Sequence, residues 1–323
     1  MAAKRRTIGI VGTFIRDTIV PLSGEPVESI GGLYHTSAYL AQLSLGKQEV
    51  RVVCNLGDDF YDVVCDALGR FSNFRLHAVK RIPMINTQVR LIYRSPETRD
   101  EITSAPVPPI TETEIGPLLD CDAVLINLIT GRDIELSALQ ALRERSRKNG
   151  TLIYLDLHSL VLGIDAKGKR YYRNVSAWRQ WLGAVDIVQM NEREAATVAG
   201  FDDTFDLKDL EALGRQIVDA GQGGMSICNI TLGSNGSLLI YRDGGNIRRV
   251  HCPPQPISNV VDIIGCGDAF GAAFITSYVE NRDPAAAARF ANRVAGLNCT
   301  FMGSLTAQRF EQYLRPYLSN EAS

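Results

Sequence analysis

Residues 259–279 read "NVVDIIGCGDAFGAAFITSYV": an apolar run, two glycines bracketing a cysteine, an aspartate, then a helical pattern. A strand ending in Gly265 and turning through Gly267 lets backbone approach a ligand with no side chain in the way. The N–H groups that open the following helix have no partner inside it and favour an anion. Asp268 falls in the first turn of that helix, where a carboxylate beside a bound phosphate can accept the proton of an attacking hydroxyl. The same residues also describe a plain glycine turn with Asp268 as helix cap. A dinucleotide fingerprint fits less well, because no strand ending in an acid follows at about 20 residues.

Outside this stretch, short apolar runs alternate with longer helix-periodic segments. Buried strands are expected at 7–12, 50–57, 123–129, 151–156 and 185–190, with helices at 35–45, 59–70, 133–148, 176–182 and 192–199. Such alternation predicts an α/β fold with a mostly parallel central sheet and helices on both faces. Two stretches break the rhythm, 13–30 and 85–104, which read as short strands with polar faces and no helix between them. They suit either a small β-sheet lid or a pair of surface hairpins. Further on, 226–241 reads as strand, glycine turn, strand, 246–253 adds another strand, and two helices at 266–281 and 284–300 close the core. The segment "APVPPITETE" (105–114) is a loop leading into a helix, with Thr111 as N-cap and Glu114 completing a capping box. No repeat, low-complexity tract or long linker interrupts the chain, so a single domain over 1–323 is expected.

Composition narrows the partners. The 323 residues are 45% hydrophobic and 22% charged with a net charge of −2, an ordinary globular balance that argues against nucleic acid or a polybasic membrane contact. The basic start "MAAKRR" leads into an apolar run that Arg16 and Asp17 interrupt, which does not make a secretory signal. No run reaches the roughly 18 apolar residues of a membrane span. Seven cysteines, odd in number and without a CxxC pair, argue against a zinc site or a disulfide framework and for reduced thiols in the cytoplasm. Cys266, at a helix N-terminus, is a candidate for a lowered pKa and a reactive thiol.

Several motifs stand in a characteristic order. "DIIGCGD" (262–268) resembles the second signature of the ribokinase-like (PfkB) carbohydrate kinase family, usually DTxGAGD. "IGGLYHTSAYLAQLSLG" (30–46) is similar to its first signature, "NEREA" (191–195) to its NxxE motif, and "TLGSNG" (231–236) to the turn of its nucleotide site. "ANRVAGLNCTFMG" (291–303) occupies the place of the closing adenine-pocket helix. Each motif alone carries little specificity; five in order, over residues 7–318, carry much.

The resemblance implies an ATP-dependent kinase that phosphorylates a hydroxyl of a small sugar or polyol, with Asp268 as general base. It places Gly265, Cys266 and Gly267 in an anion hole. It places Asp17, Gly31 and Gly32 at the acceptor, and Thr231, Gly233, Gly236 and Asn292 at the nucleotide. Asn191 and Glu194 would hold Mg²⁺ through water, and Asp262 would stand beside a monovalent cation such as K⁺. Read without the family, Asn191 and Glu194 are equally a helix-start cap, and Asp17 a turn residue. Two signature positions depart from the pattern: Ile263 replaces threonine and Cys266 replaces alanine. Thr36 stands where the first signature often has asparagine, and His158 where many members have asparagine. These departures keep two alternatives open: a nucleoside kinase, with Tyr34 and His35 against a base, and a catalytically inactive binding protein. A phosphorylated acceptor reached by Arg16, Arg90 or Arg94, and a homodimer through the lid edge, are further expectations.

Overall fold

The computed structural model describes residues 5–94, 99–200, 206–220 and 226–318. The strands are β1 (Arg6–Val11), β2 (Phe14–Val20), β3 (Val27–Gly32), β4 (Gln48–Gly57), β5 (Phe74–Ile82), β6 (Gln88–Tyr93), β7 (Arg99–Thr103) and β8 (Ala123–Asn127). They continue with β9 (Leu152–Asp156), β10 (Leu162–Ile164), β11 (Arg170–Tyr172), β12 (Ile187–Asn191), β13 (Ile227–Thr231), β14 (Ser237–Asp243) and β15 (Asn246–Cys252). The principal helices are α1 (Leu33–Leu43), α2 (Tyr61–Gly69), α3 (Leu136–Ser146), α4 (Trp178–Gly183), α5 (Glu192–Ala199), α6 (Leu207–Ala220), α7 (Cys266–Asn281) and α8 (Pro284–Asn298).

Nine strands form one sheet in the order β15-β14-β13-β12-β9-β8-β1-β4-β5. From β13 to β5 every pairing is parallel; β14 and β15 continue antiparallel. The apolar runs follow from this: β8 is buried at every position, because helices cover both of its faces. One face packs on α1, α2, α7 and α8, through Leu40, Val64, Phe274 and Val294; the other packs on α3 to α6, through Leu139, Trp181, Val198 and Ile217.

Helix α7 carries much of the first core. It is buried almost all round, and small residues let it lie close to the sheet: a Cβ on Gly271 would come within 3.1 Å of Gln189 Oε1. Phe274 stacks obliquely on Tyr154 of β9 with ring centroids 5.8 Å apart. Full burial of such a side chain contributes about 1.5–3 kcal/mol.

The two stretches that break the α/β rhythm make a second sheet, of four strands in the order β3-β2-β6-β7. β2 pairs antiparallel with β3 and parallel with β6. Its β7 edge is partly covered, since Thr103 N donates to Gly168 O at 2.9 Å.

Elements not anticipated are β5, α6, the β10–β11 hairpin and the C-terminal helical run over 307–318. The helix expected after Thr111 does not form. Half of the capping box is present, with Thr111 N donating to Glu114 Oε2 at 2.9 Å, but Glu114 N bonds Thr111 O at 3.0 Å and closes only a turn. The chain instead makes a short 3-10 turn at Gly116–Leu118, with Pro117 in its first positions, where a missing N–H costs little.

Candidate active site

Parallel strands deliver their C-terminal ends to one edge of the sheet, and here those ends are polar. Asn127 closes β8, Asp156 closes β9, Gln189 and Asn191 close β12, and Thr231 closes β13. Helix α7 starts at this edge, with Gln189 Nε2 donating to Gly267 O at 3.0 Å. Such crevices are where open α/β sheets bind ligands.

Gly265 is the N-cap of α7, at φ 80° and ψ 3°, a conformation that favours glycine. The amides of Gly265 and Gly267 make no hydrogen bond to the described residues, whereas Cys266 N makes a long 3.4 Å bond to Ile263 O. Asp268 does not cap its own helix. Its Oδ1 accepts from Thr36 Oγ1 of α1 at 2.6 Å and from Asn127 Nδ2 of β8 at 2.8 Å. Asn127 Nδ2 also donates to Thr36 Oγ1 at 3.1 Å, closing a ring of three side chains from three elements. With Oδ1 saturated, Oδ2 is the oxygen left to meet an acceptor hydroxyl.

Asp17 and Gly31 are brought together by the β2–β3 pairing. A Cβ on Gly31 would lie 1.8 Å from Asp17 Oδ2, so only glycine leaves room for that carboxylate. Gly32, at φ 60°, passes against Thr13 O, which a Cβ would approach to 2.4 Å, with Ile15 and Ile129 each 3.1 Å from that same Cβ.

Asn191 and Glu194 form a complete capping box at the start of α5. Asn191 Oδ1 accepts from Glu194 N, and Glu194 Oε2 accepts from Asn191 N, both at 2.8 Å. The cap reading of this pair is therefore realised. Burial pushes the Glu194 carboxyl above the usual range, offset in part by His158 and by the Asn191 amide. Asp156 lies deeper and is raised well above that range, by burial first and then by the charges of Glu194 and Asp268.

Thr231 pairs in register with Asn191, so the turn at 231–236 adjoins the Asn191–Glu194 pair. Gly233 (φ 54°) faces open space, whereas a Cβ on Gly236 (φ 85°) would lie 2.2 Å from Cys252 O. Asn292 is buried, and its Nδ2 donates to Ser237 Oγ and Cys252 O, each at 3.0 Å. Its amide thus joins α8 to the β14–β15 end of the sheet. Asp262 clasps two loops, accepting from Ile264 N and Gly303 N, both at 3.0 Å. Ile263, the departure beside it, is 72% exposed.

Cys266 does not stand alone in this loop: its Sγ lies 3.4 Å from Cys299 Sγ at the end of α8, and either sulfur can donate. Burial raises both thiols, and the hydrogen bond between them lowers whichever one accepts. Of the three arginines considered for a second phosphate, Arg16 pairs with Glu28 and Asp59 and Arg94 with Asp100, whereas Arg90 is exposed on β6.

Asn127, Asp156 and Gln189 were not singled out from sequence. The available signal was a polar residue ending an otherwise apolar buried strand, as in "AVLIN" and "LIYLD".

Comparison with known proteins agrees with this geometry. Residues 12–309 match the profile of the pfkB family carbohydrate kinases. A cytidine kinase of Thermococcus kodakarensis is 25% identical over 283 residues, covering 84% of this chain and 88% of its own. Among solved structures, ribokinase of Arabidopsis thaliana, complexed with ribose and ATP, superposes with a TM-score of 0.73 at 21% identity, covering 93% of this chain and 94% of that one. A pyrophosphate-dependent kinase of the ribokinase family, complexed with a pyrophosphate analogue and myo-inositol, gives the same TM-score of 0.73 at 20% identity, covering 94% and 99%. Among the described residues, no helix is long and apolar enough to cross a membrane.

Proposed function

The chain belongs to the pfkB family of carbohydrate kinases and is a small-molecule phosphotransferase, and from that premise we propose that it transfers the γ-phosphoryl group of ATP to a hydroxyl of a small sugar or related polyol. The observation that carries this is the placement of Asp268, its Oδ1 fixed by Thr36 and Asn127 beside the unpartnered amides of Gly265 and Gly267. Asp268 Oδ2 accepts the proton of the acceptor hydroxyl as its oxygen attacks. The amides receive the charge on the migrating phosphoryl, a preorganised effect worth several kcal/mol. Asp17, over bare Gly31, holds a neighbouring pair of hydroxyls. The small sheet, through β2 and β3, excludes water that would otherwise accept the phosphoryl group.

The motif order supports ATP as the donor: the turn at 231–236 has the pattern of the family's nucleotide site, and Gly233 in it has no heavy atom within 4 Å of where a Cβ would lie. The residues offered for Mg²⁺ lie on the same edge of the sheet, and among the described residues no group of three or more His, Cys, Asp or Glu side chains forms a direct metal cage, which suits an ion that keeps its waters. Asp156 and Glu194 are buried carboxylates, the charges of Glu194 and Asp268 oppose that of Asp156, and neither Asp156 nor Glu194 forms a salt bridge among the described residues. Asn191 and Glu194 would hold its waters; when bound, the ion neutralises charge on the donor phosphates.

A nucleoside acceptor is the second reading, favoured by the similarity to a cytidine kinase over most of both chains. Both readings place a diol on Asp17. Product formation from ATP and from pyrophosphate, against a panel of pentoses, hexoses, cyclic polyols and nucleosides, tests donor and acceptor together. Turnover with pyrophosphate alone would contradict the donor assignment, and turnover with nucleosides alone the acceptor.

A further inference from the structure

The thiol pair at the mouth of the anion site is a feature the phosphoryl-transfer reading does not use. Cys266 is the first residue of α7, and Cys299 caps the end of α8. Their sulfurs are 3.4 Å apart although the residues are 33 positions apart in sequence. Neither is fully buried, in contrast to Cys54, Cys121, Cys228 and Cys252, so a small oxidant can reach the pair. Both residues are tied to the loops that shape the donor side. Cys299 O accepts from Val261 N at 2.7 Å, and Asn298 Nδ2 donates both to Ile264 O at 2.8 Å and to Cys266 Sγ at 3.3 Å.

We propose that Cys266 and Cys299 form a reversible disulfide under hydroperoxide, and that this cross-link switches off phosphoryl transfer by displacing the first turn of α7. The effect on turnover rests on the kinase reading; the cross-link itself does not. In the first step the thiolate of one cysteine attacks a peroxide oxygen. The O–O bond breaks, water leaves, and a sulfenic acid remains. The second sulfur then attacks the sulfenic sulfur, releasing a second water. Two thiols and one H₂O₂ give one disulfide and two waters, with the thiols oxidised and the peroxide reduced.

Bonding requires the sulfurs to close from 3.4 Å to about 2.05 Å. Cys266 is in the anion-site loop, so the adjustment falls on Gly265 and Gly267, where misplacement of about 1 Å can cost about 100-fold in rate. Cys65, the remaining half-exposed thiol, lies on α2 and serves as an internal reference for oxidation elsewhere.

The test treats the full chain with hydrogen peroxide, alkylates remaining thiols in denaturant, and maps the cysteine peptides by mass. The expected result is a Cys266–Cys299 cross-link, a fall in turnover of at least about tenfold in proportion to it, and recovery with dithiothreitol. Cys299→Ser is expected to turn over normally, form no cross-link and resist the same dose. Absence of the cross-link while Cys65 is oxidised would overturn the proposal. So would a complete cross-link with unchanged turnover. A chain that cross-links but never phosphorylates any acceptor would instead contradict the kinase reading and the switch that rests on it, leaving the disulfide established.

Discussion

Thr36 and Asp268 meet at 2.6 Å across 232 positions of sequence, the hydroxyl of α1 donating to the carboxylate at the head of α7. Asn127 completes the ring from the end of β8. The position that departs from the family's first signature is thus engaged with the proposed base. A threonine here fixes which oxygen of Asp268 is free.

If this ring sets the orientation of the base, loosening it lowers the rate and leaves the base present. Asn127→Ala and Thr36→Val are each expected to reduce kcat about 10–100-fold, less than the roughly 100–10,000-fold a general base itself contributes. Acceptor KM should change little. An unchanged kcat with only a KM effect would assign these residues to substrate contact.

Asp17 and Gly31 make a paired prediction about the acceptor. Asp17→Ala should raise acceptor KM by at least about tenfold, the loss of a hydrogen bond to a charged group, with donor KM unchanged. Gly31→Ala should have a similar effect with Asp17 intact, because the new methyl occupies the place of its carboxylate. Steady-state kinetics with either substrate varied will separate the two sites.

Asp133 gives a pH signature of stability. It is buried, with Oδ1 accepting from Thr13 Oγ1 at 2.6 Å and Oδ2 from Thr130 N at 3.0 Å. Desolvation outweighs these donors and raises its carboxyl above the usual range. The unfolded chain therefore releases this proton first, near pH 3.9 for a free aspartate. From there up to the folded pKa the native state binds more protons, so stability from this group falls as pH rises. Urea midpoints of the wild type should decline relative to Asp133→Asn between acid and neutral pH. A constant difference would show that Asp133 titrates as a free group.

The large sheet was legible because burial on both faces writes apolar runs such as "AVLIN" directly into the chain. Helix α7 was located at both ends, since Gly265 fixes its start and no proline interrupts the apolar run before Arg282 ends it. By contrast β5 carries exposed polar residues on the sheet edge, with Glu49 and Arg75 pairing across β4 and β5, and its pattern resembles surface loop. Motif order singled out residues 265–268, Asp17 with Gly31, and the Asn191–Glu194 pair as candidates. It could not show that Asn127 reaches Asp268, because that contact depends on the strand order β9-β8-β1, which local pattern does not encode. The Cys266–Cys299 contact was hidden for a related reason: it depends on how two helices lie side by side.

The central claim is that Asp268 takes the proton of the acceptor. Asp268→Asn keeps a hydrogen-bonding partner for Thr36 and removes the base. The decisive measurement is formation of the phosphorylated acceptor by this variant, alongside its affinity for ATP. The account predicts a fall of at least about 100-fold in turnover with ATP affinity within about twofold of wild type. Turnover near the wild-type rate would contradict it.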